Sequence, residues 1–195
     1  VRSRRQRQMC IRDRLYLSLV IFLGIRMLLI NHEDSKTLGA MTLLLGLGDS
    51  FHLVPRIIAN VMDNGFVLNS TSLFIGTRVS SITMSIFYLL FYFYIKKTRD
   101  LKNKGLDLTM LGLFVARLVT VFISFKSDSN MDLISNLPFV IMGLIDIVLL
   151  FKNRNLKAFK RLYIYVFFSF LFYIPVVLFK KTYPSVGMLL SLIHI

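Results

Sequence analysis

Leu38-Gly39-Ala40-Met41-Thr42-Leu43-Leu44-Leu45-Gly46-Leu47 runs directly into Gly48-Asp49-Ser50-Phe51-His52-Leu53-Val54-Pro55-Arg56. The first part carries no charge and reads as a lipid-buried helix. The second places a carboxylate, an imidazole and a guanidinium on that same helix. At helical pitch Asp49, His52 and Arg56 stand at i, i+3 and i+7, so they share one face. An ionisable group at membrane depth costs several kcal/mol on most scales and marks a polar interior or a function. Asp49 is therefore the first candidate for chemistry.

The rest of the chain repeats the apolar pattern. Of its 195 residues 55% are hydrophobic, above ordinary soluble composition, and they come in long blocks. These cover 15–30 (interrupted by Arg26), 37–59, 71–95, 106–125, 133–151 and 162–179, with a seventh beginning near Pro184. Most of these approach the roughly 20 residues that a membrane-spanning helix needs. Phe and Tyr gather near block ends, as in Tyr88 to Tyr94 and Tyr163 to Tyr173, the pattern of an aromatic belt. The expectation is an all-α, polytopic helical membrane protein with six complete transmembrane helices and a truncated seventh.

The two ends read differently. Leu190 to Ile195, LSLIHI, can be coded by an eighteen-base word whose reverse complement, in another frame, encodes Met-Cys-Ile-Arg-Asp, the residues Met9 to Asp13. A matched pair of opposite-strand readings is the mark of a sequencing adapter. Residues 1–14 and 190–195 are thus expected to be adapter-derived, leaving 15–189 as a single transmembrane helical domain. The formal charge of +14 is then misleading: residues 15–195 hold 18 Lys and Arg against 9 Asp and Glu, a balance of +9. Cys10, the single cysteine, and His194 fall in the adapter-like ends. No cysteine pair or His-x-x-x-His spacing is left for a metal site, and no cofactor is implied.

Loop charge sets the expected orientation. Lys96, Lys97, Arg99, Lys102 and Lys104 crowd one connection, and Lys152, Arg154, Lys157, Lys160 and Arg161 another. The alternate connections hold Arg56 with Asp63, Lys126 with Asp128 and Asp132, and Lys180 with Lys181. The positive-inside rule places the first two loops in the cytoplasm. The start of the chain then lies outside, which implies one helix upstream and eight in the intact protein. The location implied is the cell membrane, crossed several times, in a bacterium the inner membrane. Lipid-surface attraction accounts for the basic clusters without a nucleic-acid partner.

Two further charges lie deep in apolar blocks, Arg117 and Asp146. At 1.5 Å per residue Asp49 and Arg117 stand about 18 and 16 Å from the cytoplasmic side, and Asp146 about 10 Å. These depths are compatible with a shared cavity. Two carboxylates there suit acid–base hydrolysis, one protonated and donating, the other ionised and accepting. His52, Arg56 and Arg117 are the candidate substrate-binding groups. The competing expectation is that the charges only fix helix packing, with Asp49 or Asp146 matched to Arg117. Ser80, Ser81, Thr83 and Ser85 read as packing or backbone-bonding groups, and Gly46 and Gly48 as sites of close helix approach. Pro55 is expected to kink or end its helix.

The phrase Leu47-Gly48-Asp49-x-x-x-Leu53-x-Pro55-Arg56, with Ile75-Gly76 and Gly143-x-x-Asp146 following in order, resembles the YhhN-type lysoplasmalogenase family. That resemblance implies an eight-helix membrane protein that cleaves the vinyl-ether bond of lysoplasmalogens to a fatty aldehyde and a glycerophospho-alcohol. It also implies Asp49 and Asp146 as the acid–base pair, with membrane lipids and a lipid-like substrate as partners. The family's His-x-x-Tyr pattern is replaced here by Ile82 to Ser85, and its serine before the second aspartate by Ile145. A proton-coupled transporter and a non-catalytic sensor or assembly protein are the alternatives.

Overall fold

A computed structural model of the chain describes residues 4–124, 131–156 and 159–179. Lys126, Asp128, Lys157, Lys180, Lys181, His194 and the block beginning near Pro184 lie outside the described residues. The described residues form helices and connecting turns only: α1 (Arg4–Leu29), α2 (Glu33–Val61), α3 (Gly65–Leu68), α4 (Ser70–Arg99), α5 (Lys104–Ser124), α6 (Met131–Lys152) and α7 (Leu162–Phe179). The chain is an all-α protein of the helical membrane class.

Four helices among the described residues are long and apolar enough to cross a membrane: Glu33–Val61, Ser70–Arg99, Lys104–Ser124 and Ile134–Lys152. The 21 residues of α5 alone extend about 32 Å, close to the thickness of a bilayer core. Its Leu108, Leu111, Val115, Val119 and Phe122 are all exposed and follow helical spacing, an outward apolar stripe of the kind lipid covers. The other two expected spans differ. The apolar part of α1 runs only from Leu15 to Leu29, with Arg26 inside it, and α7 offers the shorter apolar run Leu162–Leu178.

Contacts divide the molecule into two compact units, Val1–Phe87 and Tyr88–Ile195, and α4 contributes to both. In the first unit α1 and α2 form an antiparallel hairpin. Its register can be followed along the chain: a Cβ on Gly24 would lie 2.7 Å from Leu43 Cγ, and one on Gly46 2.9 Å from Val20 Cγ1. Further along, Tyr16 meets Asp49 and Asp13 meets Arg56. Small residues thus let the backbones close, as the Gly46 spacing suggests.

Pro55 does not end its helix; α2 continues to Val61. Proline offers no N–H to the carbonyl four residues back, here that of Phe51. Gly76 of α4 lies directly against this Phe51 oxygen, where any Cβ would collide. The α4 backbone therefore packs over the gap that the proline leaves in the helix ladder, so the helix is supported from outside. After α2 the chain turns at Asn64, whose φ of 54° is left-handed. Asparagine tolerates that region better than most residues. Asn69 then donates its side-chain amide to the Gly65 carbonyl at 2.9 Å, which closes α3.

The second unit is built on aromatic packing. Tyr88, Phe139, Phe170 and Tyr173 form a cluster with ring centroids 5.2–6.1 Å apart, mostly edge to face. Gly143 lets the Phe170 ring sit against the α6 backbone. Around this cluster Tyr92, Ile95, Met110, Val121, Met142, Leu150 and Phe159 are fully buried.

Candidate functional site

Asp49 is buried on the face of α2 that meets α1 and α4. Its Oδ2 accepts a hydrogen bond from the Tyr16 hydroxyl and its Oδ1 one from Ser80 Oγ, both at 2.8 Å. Two hydroxyl donors from two neighbouring helices fix the carboxylate without supplying a counter-charge. The Gly48 backbone supports this arrangement, because its missing side chain makes room for Thr83 on α4. The Ser81, Thr83 and Ser85 hydroxyls bond backward to carbonyls of their own helix, as expected for helix-packing residues. Ser80 departs from that pattern and reaches Asp49 instead.

The rest of the polar stripe on α2 follows the helical register. His52 is half-buried one turn after Asp49. Arg56 is held by Asp13 through its Nε at 2.9 Å and its Nη2 at 2.6 Å. That partner belongs to the stretch 1–14, which continues α1 down to Arg4 as regular helix. Asn60 completes the buried side with a bond from its amide to the Arg56 carbonyl.

Asp146 has the opposite surroundings. It is fully buried on α6, and neither carboxyl oxygen has a hydrogen-bond partner among the described residues. Tyr88 lies within electrostatic reach of it and shares a hydrogen bond with Ser169 of α7. Arg117 does not neutralise Asp146. Its guanidinium donates to the Ser135 carbonyl and to Asn136 Oδ1, and stacks over Phe139 at 5.7 Å. Those acceptors precede Asp146 by ten or eleven residues, about 15 Å along the helix. Tyr173 also donates to Asn136 Oδ1, which ties α7 to the same point. Packing by a buried Arg117–Asp146 ion pair, one of the sequence expectations, is therefore absent.

Two donors escaped the sequence reading. Tyr16 is a lone tyrosine in an apolar run, and its only signal is its place one block before the Gly-Asp phrase. Ser80 is one of four Ser and Thr hydroxyls within residues 80–85 of α4, and nothing in their spacing separates it from the others. Among the described residues no three His, Cys, Asp or Glu side chains gather as a metal site. The chain matches no protein-family model, no curated protein and no solved structure.

Proposed function

We propose that this protein is a multi-pass enzyme of the cell membrane, an acid–base hydrolase of vinyl-ether lysophospholipids of the lysoplasmalogenase kind. The observation that carries the reading is the contrast between its two buried carboxyls. Asp49 accepts two hydroxyl donors, an environment suited to a carboxylate that takes a proton from water. Asp146 has no hydrogen-bond donor among the described residues, an environment suited to a carboxyl that holds a proton and gives it up.

The chemistry divides between them in two stages. Asp146 gives its proton to the β-carbon of the enol ether, and the α-carbon becomes an oxocarbenium centre. Water adds there and loses a proton to Asp49. In the resulting hemiacetal the bond to the glyceryl oxygen breaks as that oxygen takes the proton from Asp49 and leaves as the alcohol. The hemiacetal hydroxyl returns a proton to Asp146 and becomes the aldehyde carbonyl, which restores both carboxyls. One water is consumed, and no oxidant, metal or cofactor is required. His52 and Arg56, along the same face of α2, supply polar contacts for the phosphate-bearing head, and Arg117 anchors the helix that carries Asp146.

Aldehyde release from lysoplasmalogen by the purified protein in detergent tests the reading. Positioned acids and bases contribute about 100- to 10,000-fold, so Asp49→Asn and Asp146→Asn should each lose at least that lower factor. Unchanged turnover in both variants would remove the proposal.

A further inference from the structure

The α4–α5 connection carries a second polar feature that hydrolysis does not use. Helix α4 ends at Arg99, and Asp100 adopts a left-handed φ of 47°. The Leu101 N–H returns to the Lys96 carbonyl and the Asp100 N–H to that of Lys97, the closing pair of a Schellman turn. Asn103 then caps α5 by accepting from the Leu106 N–H at 3.2 Å. This tight reversal folds the lysines of both helix ends around one open cleft of about 890 Å³.

Lys96, Lys97, Lys102 and Lys104 line the cleft against Asp100 and Asp107, so the lining is cationic by two charges. Lys96 is committed to Asp107 at 2.5 Å. Lys102 stands 3.6 Å from Asp100 with both side chains 84% exposed, a pairing that contributes little. Lys104 is exposed at the first position of α5 and has no ion pair among the described residues. The cleft therefore presents the exposed ammonium groups of Lys102 and Lys104 beside the positive end of a 21-residue helix.

Its apolar side decides what kind of anion fits. Phe93 and Leu101 form part of the wall. One turn beyond Lys104 and Asp107 stand Leu108 and Leu111, 73% and 42% exposed, which begin the exposed stripe of α5 that continues to Phe122. A soluble phosphate needs no such surface. A phospholipid does, because its acyl chains must leave the cationic cleft along apolar side chains. We infer that this cleft binds the phosphate of an anionic phospholipid, whose chains lie along the Leu108–Leu111 side of α5. The lining residues of this cleft all belong to the second unit, and neither Asp49 nor Asp146 is among them.

The purified chain in neutral detergent, with phosphatidic acid or phosphatidylcholine added to the micelles, provides the test, read by native mass spectrometry of retained lipid. Wild type should retain phosphatidic acid preferentially. Lys97→Gln/Lys102→Gln/Lys104→Gln should weaken that preference about tenfold while leaving phosphatidylcholine retention unchanged. Lys152→Gln/Lys160→Gln, on the other basic connection, should leave it intact. Equal loss in both variants means a general surface-charge effect and overturns the inference. Displacement of the lipid by millimolar inorganic phosphate also overturns it, because the site would then recognise the free ion. Activity on lysoplasmalogen does not enter this test, so its outcome is independent of the hydrolase reading.

Discussion

The Tyr16 hydroxyl donates to Asp49 Oδ2 at 2.8 Å across the α1–α2 hairpin, while Ser80 of α4 donates to the other oxygen at the same distance. One carboxylate thus ties three helices together in the first unit. Tyr16→Phe and Ser80→Ala should each lower stability by about 1 kcal/mol, the scale of hydrogen bonds between membrane helices. Their combination should cost more than the sum, because in each single variant the remaining donor can recentre on the carboxylate, whereas the double variant removes both. Unfolding in graded sodium dodecyl sulfate measures this, and additive losses would argue against a shared carboxylate.

The Phe51 carbonyl against Gly76 gives a steric prediction. Gly76→Ala places a methyl group on a backbone oxygen that cannot rotate away, and should cost about 1–3 kcal/mol. Gly112→Ala, on the exposed side of α5 with nothing within 4 Å, should be neutral or stabilising by up to about 1 kcal/mol. The same detergent titration separates the two, and equal effects would contradict the close approach.

Asp100 holds a left-handed conformation that glycine adopts without strain. Asp100→Gly should therefore raise the midpoint of thermal unfolding, and Asp100→Val should lower stability by about 1–2 kcal/mol. A loss of stability in Asp100→Gly would mean that the carboxylate, rather than the turn, is what the position needs.

Within the stretch 1–14 Asp13 pairs with Arg56, whereas the described donors to Asp49, Tyr16 and Ser80, both lie outside it. A chain starting at Leu15 should keep its helical circular dichroism and its sensitivity to Tyr16→Phe. In that shorter chain Arg56→Gln should be silent, whereas in the full chain it should cost about 0.5–1 kcal/mol, as for partly exposed ion pairs.

The apolar blocks foretold every helix longer than one turn among the described residues, because burial in lipid imposes long uncharged runs that no loop would carry. Helix α3 escaped notice since four residues are too few to show a period. The continuation of α2 past Pro55 was not legible because the cost of a proline is local, whereas its relief by Gly76 comes from a helix about twenty residues away in sequence. At the site, the polar stripe of Asp49, His52 and Arg56 was legible from spacing along one helix. The donors to Asp49 were not, because a contact across helices depends on which faces meet. The absence of an Arg117–Asp146 pair follows from register: the arginine is engaged about three turns earlier on α6, a fact that membrane depth estimated from block ends is too coarse to reveal.

The central claim rests on two carboxyls with distinct chemical duties. Purified wild type, Asp49→Asn and Asp146→Asn should be compared for aldehyde release from a lysoplasmalogen in detergent. The account predicts turnover in wild type and a loss of at least about 100-fold in each variant, with helical content preserved. Aldehyde release that persists undiminished in both folded variants would contradict it.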